Sequence, residues 1–474
     1  MKNKRDMENN EIKQLETICA PATPNATSAI GIIRVSGRSA VSIIKEIFRT
    51  IKGKKADFSY SVKPKIRIGY IIDEYKNIVD EVVCLVYHAP RSYTGEDLIE
   101  IQHHGSPFIQ QEIIKILLSN GVRMAKNGEF SQRAFLNGKL NLSQAEAVAD
   151  LISSRTAIAH QIALNQLKGG YQKTLKALRG ELLNLLTLLE LELDFSEEDV
   201  EFAQRKALEE SMTNIEKTLE ILIESFDTGN AFKNGIPIAI IGKPNAGKST
   251  LFNAILNDER AIVSPISGTT RDTIEEIVNI NGIEYRFIDT AGVRQATDPI
   301  EEEGIKRSYK SIENANIIMY VADVTEMSPS EAQLDLIKID EEISLEGKKI
   351  IMVANKFDGK LRVKEIKEWG NLGAVKTIAK DKEGVDEIIN RITTISENSM
   401  YNSNILITNA RHYEAMKKSV AAIKTAKENL LNESPTDIIA IDIRESLHYL
   451  GEITGEVTTE EVLANVFSKF CIGK

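Results

Sequence analysis

Short apolar runs of strand type at residues 30–35, 66–72, 81–87 and 98–102 alternate with helically spaced patterns at 40–49 and 108–119. The stretch from about Glu16 to Gly128 therefore predicts an α+β domain. From Ser131 to about Asn230 the spacing is helical. Leu175, Leu178, Leu182, Leu185, Leu189 and Leu193 recur at three- and four-residue intervals, a wide apolar stripe that reads as bundle core rather than as a cofactor groove. From Ile236 the pattern becomes strand, loop and helix in repetition, with strands expected at 236–241, 277–280, 285–289, 317–322 and 349–354. That is the signature of a doubly wound α/β domain. Helical spacing returns after about Met400, at 413–432, 438–450 and 459–467. The simplest architecture gathers the helices on both flanks into one bundle and inserts the α/β unit between them, because domain termini often lie close together. The expected division is an α+β domain at 1–136, a first helical part at 137–232, the α/β domain at 233–396 and a second helical part with a short tail at 397–474.

Composition narrows this only slightly. A chain of 474 residues is too long for one core, and at roughly 150 residues per domain about three are expected. The 42% hydrophobic and 27% charged residues are those of an ordinary globular protein. No apolar run nears the roughly 20 residues of a membrane span, and the polar start from Met1 to Asn10 has no secretory core. Cys19, Cys84 and Cys471 lie far apart, without metal-ligand spacing or a disulfide framework, which points to a reducing cytoplasm. A net charge of −10 argues against an overall basic coat for nucleic acid and leaves a local patch open.

The chemistry concentrates in the α/β region. Gly242-Lys243-Pro244-Asn245-Ala246-Gly247-Lys248-Ser249 follows an apolar strand and opens a helical pattern with Thr250, the context a phosphate loop requires. Glycines let backbone N–H groups curl around phosphates, Lys248 neutralises β- and γ-oxygens, and the Ser249 hydroxyl suits Mg²⁺. Alone the match could be chance, but its companions arrive in order. The stretch Ser264, Pro265, Ile266, Ser267, Gly268, Thr269 and Thr270 supplies a switch threonine, with Thr270 completing the Mg²⁺ shell while the γ-phosphate is present. Asp289-Thr290-Ala291-Gly292 ends a strand, where Asp289 can hold the metal through water and the Gly292 N–H can meet the γ-phosphate. Asn355-Lys356-Phe357-Asp358 ends another. A carboxylate there accepts from guanine N1–H and the 2-amino group, so the expected nucleotide is GTP. Val293 stands where many small GTPases carry a water-orienting Gln, so another group must do that work. Arg294, Asp298, Glu301, Glu302 and Glu303 follow closely, though surface solvation is the default for such a run.

The phosphate loop together with Gly268-Thr269-Thr270-Arg271-Asp272 resembles the TrmE–Era–EngA group of GTPases. Ser92-Tyr93-Thr94-Gly95-Glu96-Asp97, the segment from Gly128 to Lys139, Asn409-Ala410-Arg411-His412, the segment from Leu450 to Thr458, and Phe470-Cys471-Ile472-Gly473-Lys474 narrow the resemblance to the MnmE (TrmE) family, over about Thr17 to Lys474. The resemblance implies addition of a carboxymethylaminomethyl or aminomethyl group to carbon 5 of the wobble uridine of certain tRNAs, with the flavoprotein MnmG (GidA) in a heterotetramer. It implies a homodimer through the N-terminal domain, which binds 5-formyltetrahydrofolate or a related one-carbon folate through Arg34, Glu100, Lys139 and Lys474. It also implies a K⁺ ion held by Asn245 together with Ser264, Ile266 and Thr269 of the 261–270 loop, and Glu301 as the acid that orients the attacking water, a catalytic residue along with Lys248. Two departures are visible. Ser264 stands where the family often has Thr, and the guanine-stacking loop reads Ile378-Ala379-Lys380 in place of Ser-Ala-Lys.

An Era-like ribosome-assembly switch shares the central domain but leaves residues 92–97 and the Cys471 tail unexplained. Prenylation at Cys471 is discarded, because Gly473 is not aliphatic and Lys474 is an improbable last residue. For Cys471 a reactive thiol and a merely packed cysteine stay level.

Overall fold

The structure is a computed structural model and describes residues 16–194, 205–263, 275–288, 311–358, 363–401 and 406–473. Its backbone contacts divide into two units, one of residues 1–149, 166–169 and 450–474, the other of residues 150–165 and 170–449. The fold combines an α+β part, a helical part and an α/β part.

The first unit is built on a seven-stranded sheet in the order β3-β4-β5-β6-β2-β1-β7. Its strands are β1 (Ile18–Pro21), β2 (Ile30–Ser36), β3 (Phe48–Thr50), β4 (Lys65–Ile72), β5 (Ile78–Tyr87), β6 (Leu98–His104) and β7 (Arg123–Met124). Helices α1 (Ala40–Ile47) and α2 (Pro107–Ser119) cover one face, where Ile33, Val35, Val82, Cys84, Ile99 and Ile101 pack against Ile44, Ile113 and Leu117. The alternate positions face the other way. Register places Ile66 opposite Leu85, Leu85 opposite Glu100 and Glu100 opposite Arg34, so these four form one row across the opposite face. Ile66 is 60% and Ile68 52% exposed there. The helix expected at 40–49 stops at Ile47, because Phe48 turns extended, pairs with Ile71 and buries its ring against Phe58. The short strands β1, β3 and β7 are too brief to show a period.

Helix α3 (Glu129–Leu136) carries the middle of the segment from Gly128 to Lys139. Glu129 is buried and accepts from both Arg123 and Arg133, while Arg133 also reaches Glu96. Tyr93 OH meets Ser131 Oγ at 2.8 Å, and Asn137 Nδ2 donates to Thr94 O at 2.7 Å. Two motifs separate in sequence are thus one buried ionic and hydrogen-bonded interlock. Near the chain end, α14 (Glu460–Ser468) packs Phe467 under Gly128, where a Cβ would lie 2.6 Å from Phe467 O.

In the second unit α4 (Leu142–Ser153, which begins in the first), α5 (Ala157–Leu167) and α13 (Thr436–Thr454), which both end in the first, α6 (Gln172–Asp194), α7 (Arg205–Asn234) and α12 (Ala410–Leu431) supply the helices. Leu175, Leu178, Leu182, Leu185 and Leu189 of the stripe are buried, as are Met212, Ile215 and Leu219 of α7. Helix α7 leads through Gly235 into β8 (Ile236–Ile241), the centre of a second seven-stranded sheet ordered β14-β13-β12-β8-β11-β10-β9. Its other strands are β9 (Ala261–Val263), β10 (Glu276–Ile280), β11 (Ile283–Ile288), β12 (Ile317–Asp323), β13 (Lys349–Asn355) and β14 (Val375–Thr377). Between them run α8 (Lys248–Leu256), α9 (Pro329–Glu342), α10 (Val363–Asn371) and α11 (Val385–Tyr401). The five strands from β14 to β11 run parallel, and β10 and β9 add antiparallel. The loop expected at 261–270 is therefore strand at its start, since residues 261–263 pair with β10.

The Glu129 cluster has a pH signature. Burial pushes its carboxyl up, but the Arg123 guanidinium, the Lys126 N–H and the Arg133 charge outweigh that and bring it down to about 2. A depressed carboxylate stabilises the fold above its unfolded value of about 4.3, and that contribution fades as pH falls toward the folded value. Glu129→Gln should cost about 3 kcal/mol at pH 7, because two guanidinium groups lose their anion. Hydrogen exchange over α3 and β6 should show this loss at pH 7, and the gap to the parent should close between about pH 4.5 and 2.

Candidate functional site

Helix α8 starts at Lys248 with Gly247 as its N-cap, at φ 93° and without a side-chain cap. Its first N–H groups thus point into the loop that precedes it, where an anion can take them up. The loop cannot carry bulk. A Cβ on Gly242 would lie 2.1 Å from Val321 O, and one on Gly247 2.2 Å from Asn355 Nδ2. Asn245 is exposed and sits in the left-handed region at φ 61°. Lys248 Nζ donates to Gly242 O at 2.7 Å and Lys243 O at 2.8 Å, so the ammonium is already folded over the loop, and burial lowers its pKa. Ala246 is buried, Ser249 half-buried and Thr250 exposed.

Asn355 joins this loop to the other end of the site. It is 2% exposed, and its Nδ2 donates to Ala246 O at 2.8 Å. Its Oδ1 accepts from Thr377 Oγ1 and the Ala379 N–H, each at 3.1 Å. One amide therefore braces the phosphate loop, the end of β13 and the 378–380 loop together. Ile378 takes the place of serine without unmaking that loop, whose closure rests on backbone bonds from Ile378 N–H to Glu383 O and from Asp381 N–H to Ile378 O. Lys356 follows at φ 61°, with its Nζ 2.6 Å from Asp323 Oδ2. Asp358 is exposed at the same strand end.

Ser264, Pro265, Ile266, Ser267, Gly268, Thr269, Thr270, Asp289, Thr290, Ala291, Gly292, Glu301 and Lys474 lie outside the described residues. Of the expected folate set, Arg34 Nε donates to Glu100 Oε1 at 2.8 Å, and Arg34 Nη1 donates to Gly473 O at 3.3 Å. The Tyr93 ring lies 5.6 Å from the Arg34 guanidinium carbon. Lys139 Nζ donates to Pro90 O, on the loop that carries Tyr93. Cys471 is exposed, and its carbonyl accepts from the Gly128 N–H. Tyr93 as the neighbour of Arg34, and Thr377 and Asp323 as holders of the nucleotide motifs, were not expected from sequence. Tyr93 lies in the motif at residues 92–97, whereas the other two depend on strand register.

A family model for the helical domain of MnmE matches residues 142–471, and one described as the N-terminus of the GTP-binding protein TrmE matches residues 17–139. The chain belongs to the MnmE family. Relatives named tRNA modification GTPase MnmE include one from Flavobacterium psychrophilum, 47% identical over 97% of this chain and 99% of its own length. Another, from Christiangramia forsetii, is 44% identical over 98% of this chain and 100% of its own. Among solved structures, Era bound to MgGDPNP and a segment of 16S ribosomal RNA is 24% identical over 39% of this chain and 65% of its own, with a TM-score of 0.25. Membership in the family makes this protein a GTPase.

Asn355→Ala would leave Ala246 O, the Ala379 N–H and the Thr377 hydroxyl without their shared partner. Each buried group so orphaned costs about 1–3 kcal/mol, part of it recovered by relaxation. Equilibrium binding of a fluorescent GTP analogue should weaken by at least about tenfold.

Proposed function

We propose that the chain is a potassium-stimulated GTP hydrolase that, with a flavoprotein partner, modifies carbon 5 of the wobble uridine of certain tRNAs to carboxymethylaminomethyl- or aminomethyluridine. Family membership supports the coarser statement, a GTP hydrolase that takes part in tRNA modification. The observation that carries the nucleotide half is the Asn355 brace, which holds a phosphate loop and a guanine-type Asp358 in one frame.

The residues fit the ions expected there. Ser249 and Thr270 would hold Mg²⁺, which supplies positive charge to the β- and γ-phosphates. Asn245, Ser264, Ile266 and Thr269 would hold K⁺ in the role an arginine finger has elsewhere, and the exposure of Asn245 within the phosphate loop suits such a ligand. Lys248 holds the phosphate oxygens, and Asp358 selects guanine. Glu301 positions the attacking water, because Val293 offers no hydrogen-bonding group. A carboxylate acting on water escapes most of the repulsion that it would meet on the phosphate itself.

In the first unit the Arg34–Glu100 pair, with Tyr93 beside it, fits the acidic and pterin ends of a folate. Lys139 and Lys474 complete the proposed set. The row continues to Leu85 and the exposed Ile66 on the same face, and the exposed Ile66 and Ile68 support a second copy of the chain as their cover. No helix among the described residues is long and apolar enough to cross a membrane. A cytoplasmic homodimer that assembles with the flavoprotein MnmG (GidA) is the proposed working form.

Nucleoside mass spectrometry of tRNA from cells that lack this chain should show unmodified wobble uridines, and unaltered modification would overturn the reading. Single-turnover hydrolysis should be faster in K⁺ than in Na⁺. It should fall by about 10²–10⁴-fold in Glu301→Ala while GTP affinity stays near the parental value. Near-parental rates in Glu301→Ala, with loss in Glu302→Ala or Glu303→Ala, would move the role to a neighbour. Calorimetry with 5-formyltetrahydrofolate, without nucleotide, should register binding that Arg34→Met weakens, and absence of heat at high ligand would remove the folate claim.

A further inference from the structure

The turn that presents Asp358 is not relaxed. Lys356 lies between Asn355 and Phe357 at φ 61°, a region that side chains with a Cβ enter at a cost unless neighbours hold them there. Two contacts hold it. The Phe357 N–H donates to Thr377 O at 3.1 Å, and Lys356 Nζ meets Asp323 Oδ2 at 2.6 Å.

Asp323 is built for that task. It ends β12 and stands in register with Asn355, the last residue of β13. It is 5% exposed, and its Oδ1 accepts from the Thr325 N–H at 2.9 Å and the Thr325 hydroxyl at 2.6 Å. The Val324 N–H adds a backbone tie to Asn355 O at 3.1 Å. The two Thr325 contacts fix the carboxylate, and the carboxylate fixes the ammonium. A charge-assisted bond to a buried, oriented anion is stronger and more directional than a surface pair. Lys356 is thereby anchored at its head while its backbone sets the path into Asp358.

We infer that Asp323 is a positioning residue for base recognition, holding Lys356 so that the strained turn aims the Asp358 carboxylate at the guanine edge. The inference rests on the reading of Asp358 as the guanine acceptor. Asp323 touches no nucleotide in this scheme; it acts through Lys356. The bland alternative is a tie between strand ends that contributes to stability alone. The two differ in what they do to base discrimination. A misaimed Asp358 loses its bond to the 2-amino group, which GTP has and ITP lacks, whereas a general loss of stability lowers both affinities together.

The test uses the full chain and measures GTP and ITP affinities, KM and kcat, and thermal stability for Asp323→Asn and Lys356→Met. Asp323→Asn should weaken GTP by about tenfold and ITP much less, with the effect in KM rather than kcat. Lys356→Met should narrow the GTP-to-ITP ratio in the same way, and adding Asp323→Asn to it should bring no further narrowing. An unchanged ratio in both single variants would overturn the inference, even if melting temperatures fall. Should Asp323→Asn fail to fold, Lys356→Met decides alone. Asp358→Asn separates the two levels. A switch in preference from GTP to XTP upholds the base reading and leaves Asp323 to be judged on its own ratio. Retention of GTP preference overturns that reading, and the inference with it.

Discussion

A buried side-chain amide has no water to turn to, so each of its polar atoms must find a protein partner or cost the fold. Asn355 meets that demand with groups from three places in the chain: Ala246 O in the phosphate loop, Thr377 at the end of β14, and the Ala379 N–H beyond it. The requirement that satisfies the amide also fixes the spacing between the loop at 242–249 and the strand end that leads to Asp358. Gly247 belongs to the same constraint. A Cβ there would lie 2.2 Å from the amide nitrogen, so the brace itself requires the glycine. Bringing reacting groups into one frame before the ligand arrives is how rigid sites avoid losing binding energy to reorganisation.

The first unit solves a similar problem with charge. Arg133 and Glu129 are almost without water, and each is held by more than one opposite group. Such a cluster contributes little net stability compared with a packed apolar core, but it is intolerant of a missing member. That intolerance links residues 92–97 to α3. Tyr93, carried on that loop and tied to Ser131, stands beside Arg34 as a consequence. The position of the candidate folate pair thus depends on residues that do not contact it.

The elements with long periods were legible from sequence. The leucine stripe of α6 and the strands at β8, β12 and β13 fall within a residue or two of expectation, because burial on one face or on both leaves a clear pattern. The phosphate-loop pattern and Asn355 to Asp358 stand out in the sequence because the chemistry expected of them needs fixed residue types at fixed spacing. What sequence could not show is register. That Asp323 lies opposite Asn355, or that Glu100 and Arg34 share a row with Leu85 and Ile66, follows only when strands far apart in the chain pair. The helix expected to run through Phe48 failed for a related reason. The local spacing was helical, but the ring had a place in the core that only an extended backbone reaches.

The cations at the candidate sites share one further property. Lys248 is held by two loop carbonyls, Arg34 by Glu100 and Gly473 O, and Lys356 by Asp323. A free lysine or arginine on a surface samples many rotamers and loses that freedom on binding. A cation already fixed by protein acceptors has lost it during folding, and the phosphate or carboxylate it meets needs only to exchange or extend an existing set of contacts. The acceptors differ in kind, and the difference matters. Carbonyls carry no net charge to set against that of Lys248, whereas the Glu100 carboxylate neutralises much of Arg34 and makes a pair with both an acidic and a basic end. Asp323 goes furthest, since it engages the Lys356 ammonium and turns that residue from a binding group into a strut. Charge of one sign therefore does three different jobs here, and the identity of the acceptor, more than that of the cation, decides which.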